Sequence, residues 1–314
     1  MVDVVIAFVL DFILGDPAFL LHPVRLIGRL INVVEGVLYP VKLPKRLTGL
    51  VLLAVTAFTA WIIPYSILKV LSPYRLLYHI VDILMIFFCL SLRDLGNEAM
   101  RVYHSLMDND VVMARKNLSM IVGRDTDCLN ENEIIRAAVE TVAENIVDGF
   151  ISPLFYIILF GAPAGLAFKA VSTLDSMVGY KNERYMDFGW ASARTDDLLN
   201  FLPARLSLFL IPTAALFIGM DFNKSLSVGM RDRLKNPSPN SGHGEACFAG
   251  AMGIKLGGLN YYNGVPSKKP IIGGKRQELE REDIRNAVHL AYATGFVTMI
   301  IFCGVRYLYA GAWW

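Results

Sequence analysis

Apolar residues fall into six stretches separated by polar segments of very unequal length. Residues 47–68, 150–168 and 286–305 contain no Asp, Glu, Lys or Arg. A helix crossing the hydrocarbon core needs about 20 mostly apolar residues, so each of the three predicts a span. Residues 76–92 hold His79 and Asp82, residues 198–220 hold Arg205 near their start, and 2–14 are short. The pattern predicts an all-α, polytopic integral membrane helical protein with about five to six spans. These fall near 2–14, 47–68, 76–92, 150–174, 198–220 and 286–305, in a single membrane-embedded domain over 1–314 with long polar helical or loop segments on one side.

The polar segments differ in character. Within 93–149, Ile134, Ala138, Val142 and Ile146 form one apolar stripe, which predicts a helix. Residues 221–285 are rich in Gly, Pro and Asn and predict a structured loop. The segments 15–46, 93–149 and 221–285 hold 5, 6 and 11 basic residues. That bias places them in the cytoplasm and 175–197 on the opposite side. A broken or re-entrant helix around Gly161–Pro163 and Lys169 would instead keep 175–197 near the rest.

Composition agrees with a membrane protein. The 314 residues are 54% hydrophobic and 18% charged, against about 45–50% and 25% in soluble chains. This excludes an ordinary cytosolic enzyme, a disordered chain and a disulfide-stapled secreted domain. A net charge of +2 gives no basic footprint for nucleic acid. Cys89, Cys128, Cys247 and Cys303 lie far apart, so neither a disulfide framework nor a zinc site is expected. The first apolar stretch has no basic residues before it and is interrupted by Asp3 and Asp11, unlike a cleaved signal peptide.

Four clusters carry candidate chemistry. Asp16, His22 and Arg25 follow the first stretch. Asp16 suits a metal and Arg25 a phosphate, although a turn with interfacial anchors explains the spacing better. Arg136, Glu140, Glu144 and Asp148 recur every four residues on one helix face. An Arg136–Glu140 surface pair would be worth little, whereas stacked acids attract a cation, and with the Asn145 amide they suit Mg²⁺. A solvated acidic face explains that spacing equally well. Between 174 and 205, Asp175, Lys181, Asn182, Glu183, Arg184, Asp187, Arg194, Asp196, Asp197, Asn200 and Arg205 are interleaved with Tyr180, Tyr185, Phe188 and Trp190. An aromatic belt explains the rings, but ionisable groups beside lipid point to function. Finally, Ser238, Asn240 and Ser241 precede Glu245 in a Gly- and Pro-rich loop. Backbone N–H groups at a helix start there would suit phosphate, and small-residue helix packing accounts for 246–258. No P-loop or GxGxxG motif occurs.

Taken in order, these clusters resemble one family. GDP…HPVRLIG, RAAVETVAENIVDGFISPLFY, YKNERY.DFGWASARTDDLLN.LPARL and SPNSGHGEA…GAMGIKLGG are similar to the adenosylcobinamide-phosphate synthases of cobalamin biosynthesis, the CobD/CbiB type, over about residues 11–264. The resemblance implies a C–N ligase in the cell membrane, multi-pass, that joins aminopropanol or its phosphate to cobyric acid. ATP and Mg²⁺ would serve it, with no bound prosthetic group. Other late cobalamin-biosynthesis enzymes are implied partners besides the corrinoid and the bilayer. On that reading Glu140, Glu144, Asp148, Asp196 and Asp197 coordinate Mg²⁺ and take the amine proton. Lys181, Arg184, Arg194 and Arg205 hold phosphate oxygens. Asn182, Asn200 and Asn240 bond the corrin amides, and Tyr180, Tyr185 and Trp190 cover its apolar face. Asp16, His22, Arg25, Asn145, Ser238 and Glu245 complete the expected substrate contacts. A corrinoid transporter and a non-catalytic scaffold for corrin-modifying enzymes are the alternative classes.

Overall fold

The computed structural model describes residues 1–15, 22–180, 182–262 and 264–311, the side chains of 309–311 excepted. In chain order the helices are α1 (Val2–Leu14), α2 (Pro23–Leu38), α3 (Lys45–Leu71), α4 (Arg75–Phe87), α5 (Leu92–Met107), α6 (Val111–Ser119) and α7 (Glu131–Ile146). A π-helical turn (Val147–Ile151) joins α7 to α8 (Ser152–Phe160), followed by α9 (Ala162–Val178), α10 (Trp190–Phe217), α11 (Phe222–Asp232) and α12 (Ser241–Met252). A hairpin of β1 (Lys255–Tyr262) and β2 (Val265–Gly273) precedes α13 (Glu282–Gly311). The chain is therefore an all-α polytopic membrane protein with one small hairpin, and the segment 221–285, expected as loop, folds into helices and that hairpin.

Four helical stretches are long and apolar enough to cross a membrane: Lys45–Leu71, Arg75–Met107, Glu131–Phe160 and Glu282–Leu308. A fifth forms if Trp190–Leu199 and Phe201–Phe217, bent by 40°, are one span. Two expected spans are corrected. Helix α1 has only 13 residues, about 20 Å at 1.5 Å per residue, which is short of the hydrocarbon thickness. The expected span at 150–174 is broken at Gly161, which adopts φ 85°, a conformation that favours glycine. Pro163 then begins a new helix where its missing N–H costs nothing.

The chain divides into two compact units, each discontinuous in sequence. The first comprises Met1–Ser91, Ser152–Asn200 and Phe302–Trp314, the second Leu92–Ile151 and Phe201–Ile301.

In the first unit, α2, α3 and α9 share a core of Ile27, Ile31, Leu52, Ala60, Ala170, Leu174, Val178 and Phe188. His22 caps α2 by accepting from the Val24 N–H at 3.2 Å. Helix α9 runs beside α3. Its start lines one cavity with the last turns of α3, while Val178 and Phe188 reach Leu52 near the start of α3. Its 17 residues extend about 26 Å, nearly a bilayer core. The connector after α9 thus returns to the end of α3 where residues 22–46 lie. Arg46 Nε meets Asp187 Oδ1 at 2.9 Å, and Arg184 meets Glu35 at 2.8 Å. The Lys/Arg count placed 175–197 opposite 15–46, whereas a broken or re-entrant helix around Gly161 would keep it near; these two contacts put the connector beside α2 and the start of α3.

In the second unit, a capping box starts α7: Asn130 accepts from the Glu133 N–H at 3.0 Å, and Glu133 accepts from the Asn130 N–H at 2.9 Å. Ile134, Ala138, Val142 and Ile146 are fully buried, as the stripe predicts. The opposite face is not solvated, because α12 and the hairpin cover it. Helix α12 is buried from Gly242 to Ala251. It approaches so closely that a side chain on Gly244 would strike the Ala143 carbonyl of α7. The hairpin is antiparallel, with a register shift between Leu256 and Gly258. Gly257 sits at this bulge with φ 88°.

Candidate functional site

The second unit gathers its charged groups around α7. Glu140, 1% exposed, accepts from Arg124 Nη2 at 2.6 Å and from the Gly257 N–H at 2.7 Å. The β-bulge aims that N–H, a use of bulges common beside functional sites. Arg136 does not pair with Glu140, as a surface reading would have it. Its guanidinium donates to the carbonyls of Gly257 and Leu259, the latter at 2.8 Å. Asn260, fully buried, accepts from Arg124 at 2.6 Å and from Arg136 at 3.1 Å.

One turn further along α7, Glu144 accepts from the Ser241 hydroxyl at 2.7 Å. Glu245 on α12 accepts from Asn236 Nδ2 at 2.8 Å, while its other oxygen lies 3.5 Å from Lys269 Nζ. That oxygen is buried and receives no hydrogen bond. Burial pushes the Glu245 carboxyl up to about 7; Lys269 opposes the shift, and Glu144 and Glu140 add to it. Burial also disfavours the charged form of Lys269, but the carboxylates of Glu245, Glu144 and Glu140 outweigh it and hold its pKa above the ordinary value. The same contest raises Arg124, where burial opposes and Glu140 prevails. A cavity of about 250 Å³ bordered by Arg136, Lys255, Gly257 and Gly258 opens beside this network.

The expected phosphate cradle before α12 is already occupied. Ser238 Oγ accepts from the N–H groups of Asn240 and Ser241 at 3.3 and 3.2 Å. Asn240 accepts from Arg205 at 2.9 Å, and its carbonyl lies 3.1 Å from His243 Nδ1. Burial, then the nearby Arg205, lowers the His243 imidazole to about 4. Asn145 donates to the Thr141 carbonyl within α7, and Asp148 lies in the π-helical turn. Such turns recur at functional sites.

The first unit holds the other expected residues. Asn200 is buried and bridges Ser152 Oγ at 2.6 Å and Asp196 Oδ2 at 3.0 Å. Asp197 and Asp175 interact electrostatically. Glu35 accepts from both Arg184, at 2.8 Å, and the Tyr185 hydroxyl, at 2.9 Å. Asn182 Oδ1 accepts from the Tyr185 N–H at 2.9 Å, which fixes the turn. Trp190 lies under the Arg46 guanidinium at 5.5 Å. Tyr180, Arg194 and Arg25 are exposed, and His22 is the α2 cap. Asp16 and Lys181 lie outside the described residues.

Sequence reasoning missed Arg124, Asn236, Asn260, Lys269 and the Gly257 N–H. Only the Gly257-Gly258 pair gave a signal, and helix packing absorbed it. Among the described residues, no group of three or more His, Cys, Asp or Glu is arranged to hold a metal ion. Glu140 in particular is committed to Arg124 and Gly257, so the stacked acids do not form a preassembled Mg²⁺ cage.

These features define a helical membrane protein whose polar unit encloses a carboxylate cluster neutralised by lysine and arginine. The chain belongs to the CobD/Cbib protein family, whose model matches residues 4–291. It is 46% identical over 300 residues to the cobalamin biosynthesis protein CobD of Pelobacter propionicus, covering 94% of this chain and 92% of that one. It is 44% identical over 313 residues to CobD of Klebsiella pneumoniae, covering 98% of each. Against the cobalamin biosynthesis protein CbiB of Salmonella typhi it is 43% identical over 305 residues, covering 96% of each. No solved structure matches the chain.

Proposed function

We propose that this protein acts in cobalamin biosynthesis in the cell membrane, as a multi-pass enzyme forming an amide between cobyric acid and aminopropanol or its phosphate, driven by ATP. A carboxylate resists attack by an amine at neutral pH, so it must first be activated. Its oxygen attacks the γ-phosphorus of ATP, giving an acyl phosphate and ADP. The amine then forms the C–N bond, phosphate leaves, and one proton is lost from nitrogen. Glu245 carries this reading: a buried carboxyl with an oxygen that accepts no hydrogen bond, faced by Lys269 and titrating near neutrality, suits a general base. Lys255 and Arg136, bordering the cavity at Gly257 and Gly258, suit phosphate oxygens. Mg²⁺ would enter with the nucleotide and neutralise its phosphates.

The test is mass spectrometry of products from purified, reconstituted protein given cobyric acid, ATP, Mg²⁺ and either amine. The wild type is expected to form the amide, and Glu245→Gln to slow it by about 10²–10⁴-fold, the usual worth of a general base. A wild-type rate in Glu245→Gln would remove that residue's role. No product with either amine would remove the reaction itself.

A further inference from the structure

Arg136 of α7 is a cation held by neutral partners. Its guanidinium donates to the carbonyls of Gly257 and Leu259 and to Asn260 Oδ1. Among the described residues, no carboxylate forms an ion pair with it. Glu140 pairs with Arg124, and Glu133, which borders the same cavity, accepts from the Asn130 N–H in the capping box. Arg136 Nε is buried and makes no hydrogen bond. This half-buried charge borders the cavity of about 250 Å³ together with Lys255, Gly257 and Gly258. Removing a charge from water without a counter-charge is costly, so the arrangement calls for a reason.

The reason lies in Asn260, whose side chain is fully buried. Its Oδ1 accepts from Arg124 Nη1 at 2.6 Å and from Arg136 Nη2 at 3.1 Å, while its Nδ2 donates to nothing. The two guanidiniums thus fix the direction of the amide and leave its donor end orphaned. An aspartate of the same shape would make two charge-assisted hydrogen bonds here and carry no orphaned donor. Stability alone favours the aspartate. The asparagine gives both guanidiniums an acceptor without cancelling their charge. Because Glu140 already neutralises Arg124, the charge so preserved is that of Arg136. We propose that Asn260 is a positioning residue that holds Arg136 in place yet uncompensated, so that the cavity can take a polyphosphate anion. This rests on the assignment of Lys255 and Arg136 to phosphate oxygens above, and adds what keeps that cation available.

Calorimetric titration of the purified full chain with inorganic tripolyphosphate, alongside Tm, tests it in two variants. Asn260→Asp is expected to weaken binding by about 10- to 100-fold, the worth of one charge-assisted contact, with Tm equal to or above that of wild type. Asn260→Ser is neutral but too short to reach both guanidiniums. It should lower Tm yet bind within about threefold of wild type, because the Gly257 and Leu259 carbonyls still hold Arg136. A purely structural asparagine would move Tm in both variants and affinity in neither. Wild-type affinity in Asn260→Asp, or a Tm of that variant below wild type, overturns the proposal, as does a wild-type protein that binds no tripolyphosphate. The titration contains neither cobyric acid nor amine, so these outcomes are reached whether or not the amide forms, and product analysis judges that reaction separately.

Discussion

The two units use the same residue types under opposite conditions. In the second unit, Arg124 and Glu140 pair with side chains 7% and 2% exposed, and Asp232 is fully buried against Arg231 and Lys235. In the first, Arg46 and Asp187 pair with side chains 64% and 58% exposed. Water screens the exposed pair and returns little for holding two long side chains still. Arg124 and Glu140 have both lost their hydration, and each charge depends on the other; at Asp232 only the carboxylate is buried, and Arg231 and Lys235 reach it from the surface. Ion pairing therefore specifies the arrangement around α7, whereas the Arg46–Asp187 pair decorates contacts that Phe188 and Val178 already fix.

The sharpest way to break this contrast is to remove one buried partner. Arg124→Met is expected to destabilise the protein by about 3–5 kcal/mol, because Glu140 keeps a buried charge with no cation at hydrogen-bond distance. Denaturant titration in detergent measures it, and a loss under about 1 kcal/mol would contradict the assignment. Next is the close approach of α12 to α7. In Gly244→Ala the added Cβ meets the Ala143 carbonyl, and overpacking of this kind costs about 1–3 kcal/mol, readable as a lowered Tm.

Acidity should act on α12 in two opposing senses. His243 has its pKa lowered in the fold to about 4, so the stability it contributes is present above pH of about 6.5 and is lost as pH falls towards 4. Glu245 has its pKa raised to about 7, so stability from this group declines as pH rises from about 4.5 to 7. The two nearly cancel over the shared interval. Tm measured between pH 4.5 and 7 should therefore depend more steeply on acid in Glu245→Gln than in wild type; parallel curves would show that Glu245 does not titrate there. The smallest effect belongs to the exposed pair: Arg46→Ala should cost about 1 kcal/mol or less, and the same titration detects anything larger.

The local code of the chain determined a good deal. Uninterrupted apolar runs fixed membrane helices at α3 and α13, since no other structure satisfies the backbone in hydrocarbon. The four-residue rhythm of Ile134, Ala138, Val142 and Ile146 fixed the buried stripe of α7, and Gly161 with Pro163 marked the break that became the α8–α9 turn. Glu140 and Glu144 were legible as candidate acids too, because stacked like charge stands out in such a chain, whereas Glu245 entered only as a substrate contact implied by the family resemblance. Their partners were not. Arg124, Lys269 and the Gly257 N–H lie 16, 24 and 117 residues from the carboxylates they meet (Glu140, Glu245 and Glu140), and no periodicity reaches that far. Whether an acid is solvated or buried likewise depends on what covers its helix, and for α7 the cover is α12 and a hairpin from distant sequence. A chain determines its segments through nearest neighbours and solvent, but the environment of a charge is set only when remote segments close over it.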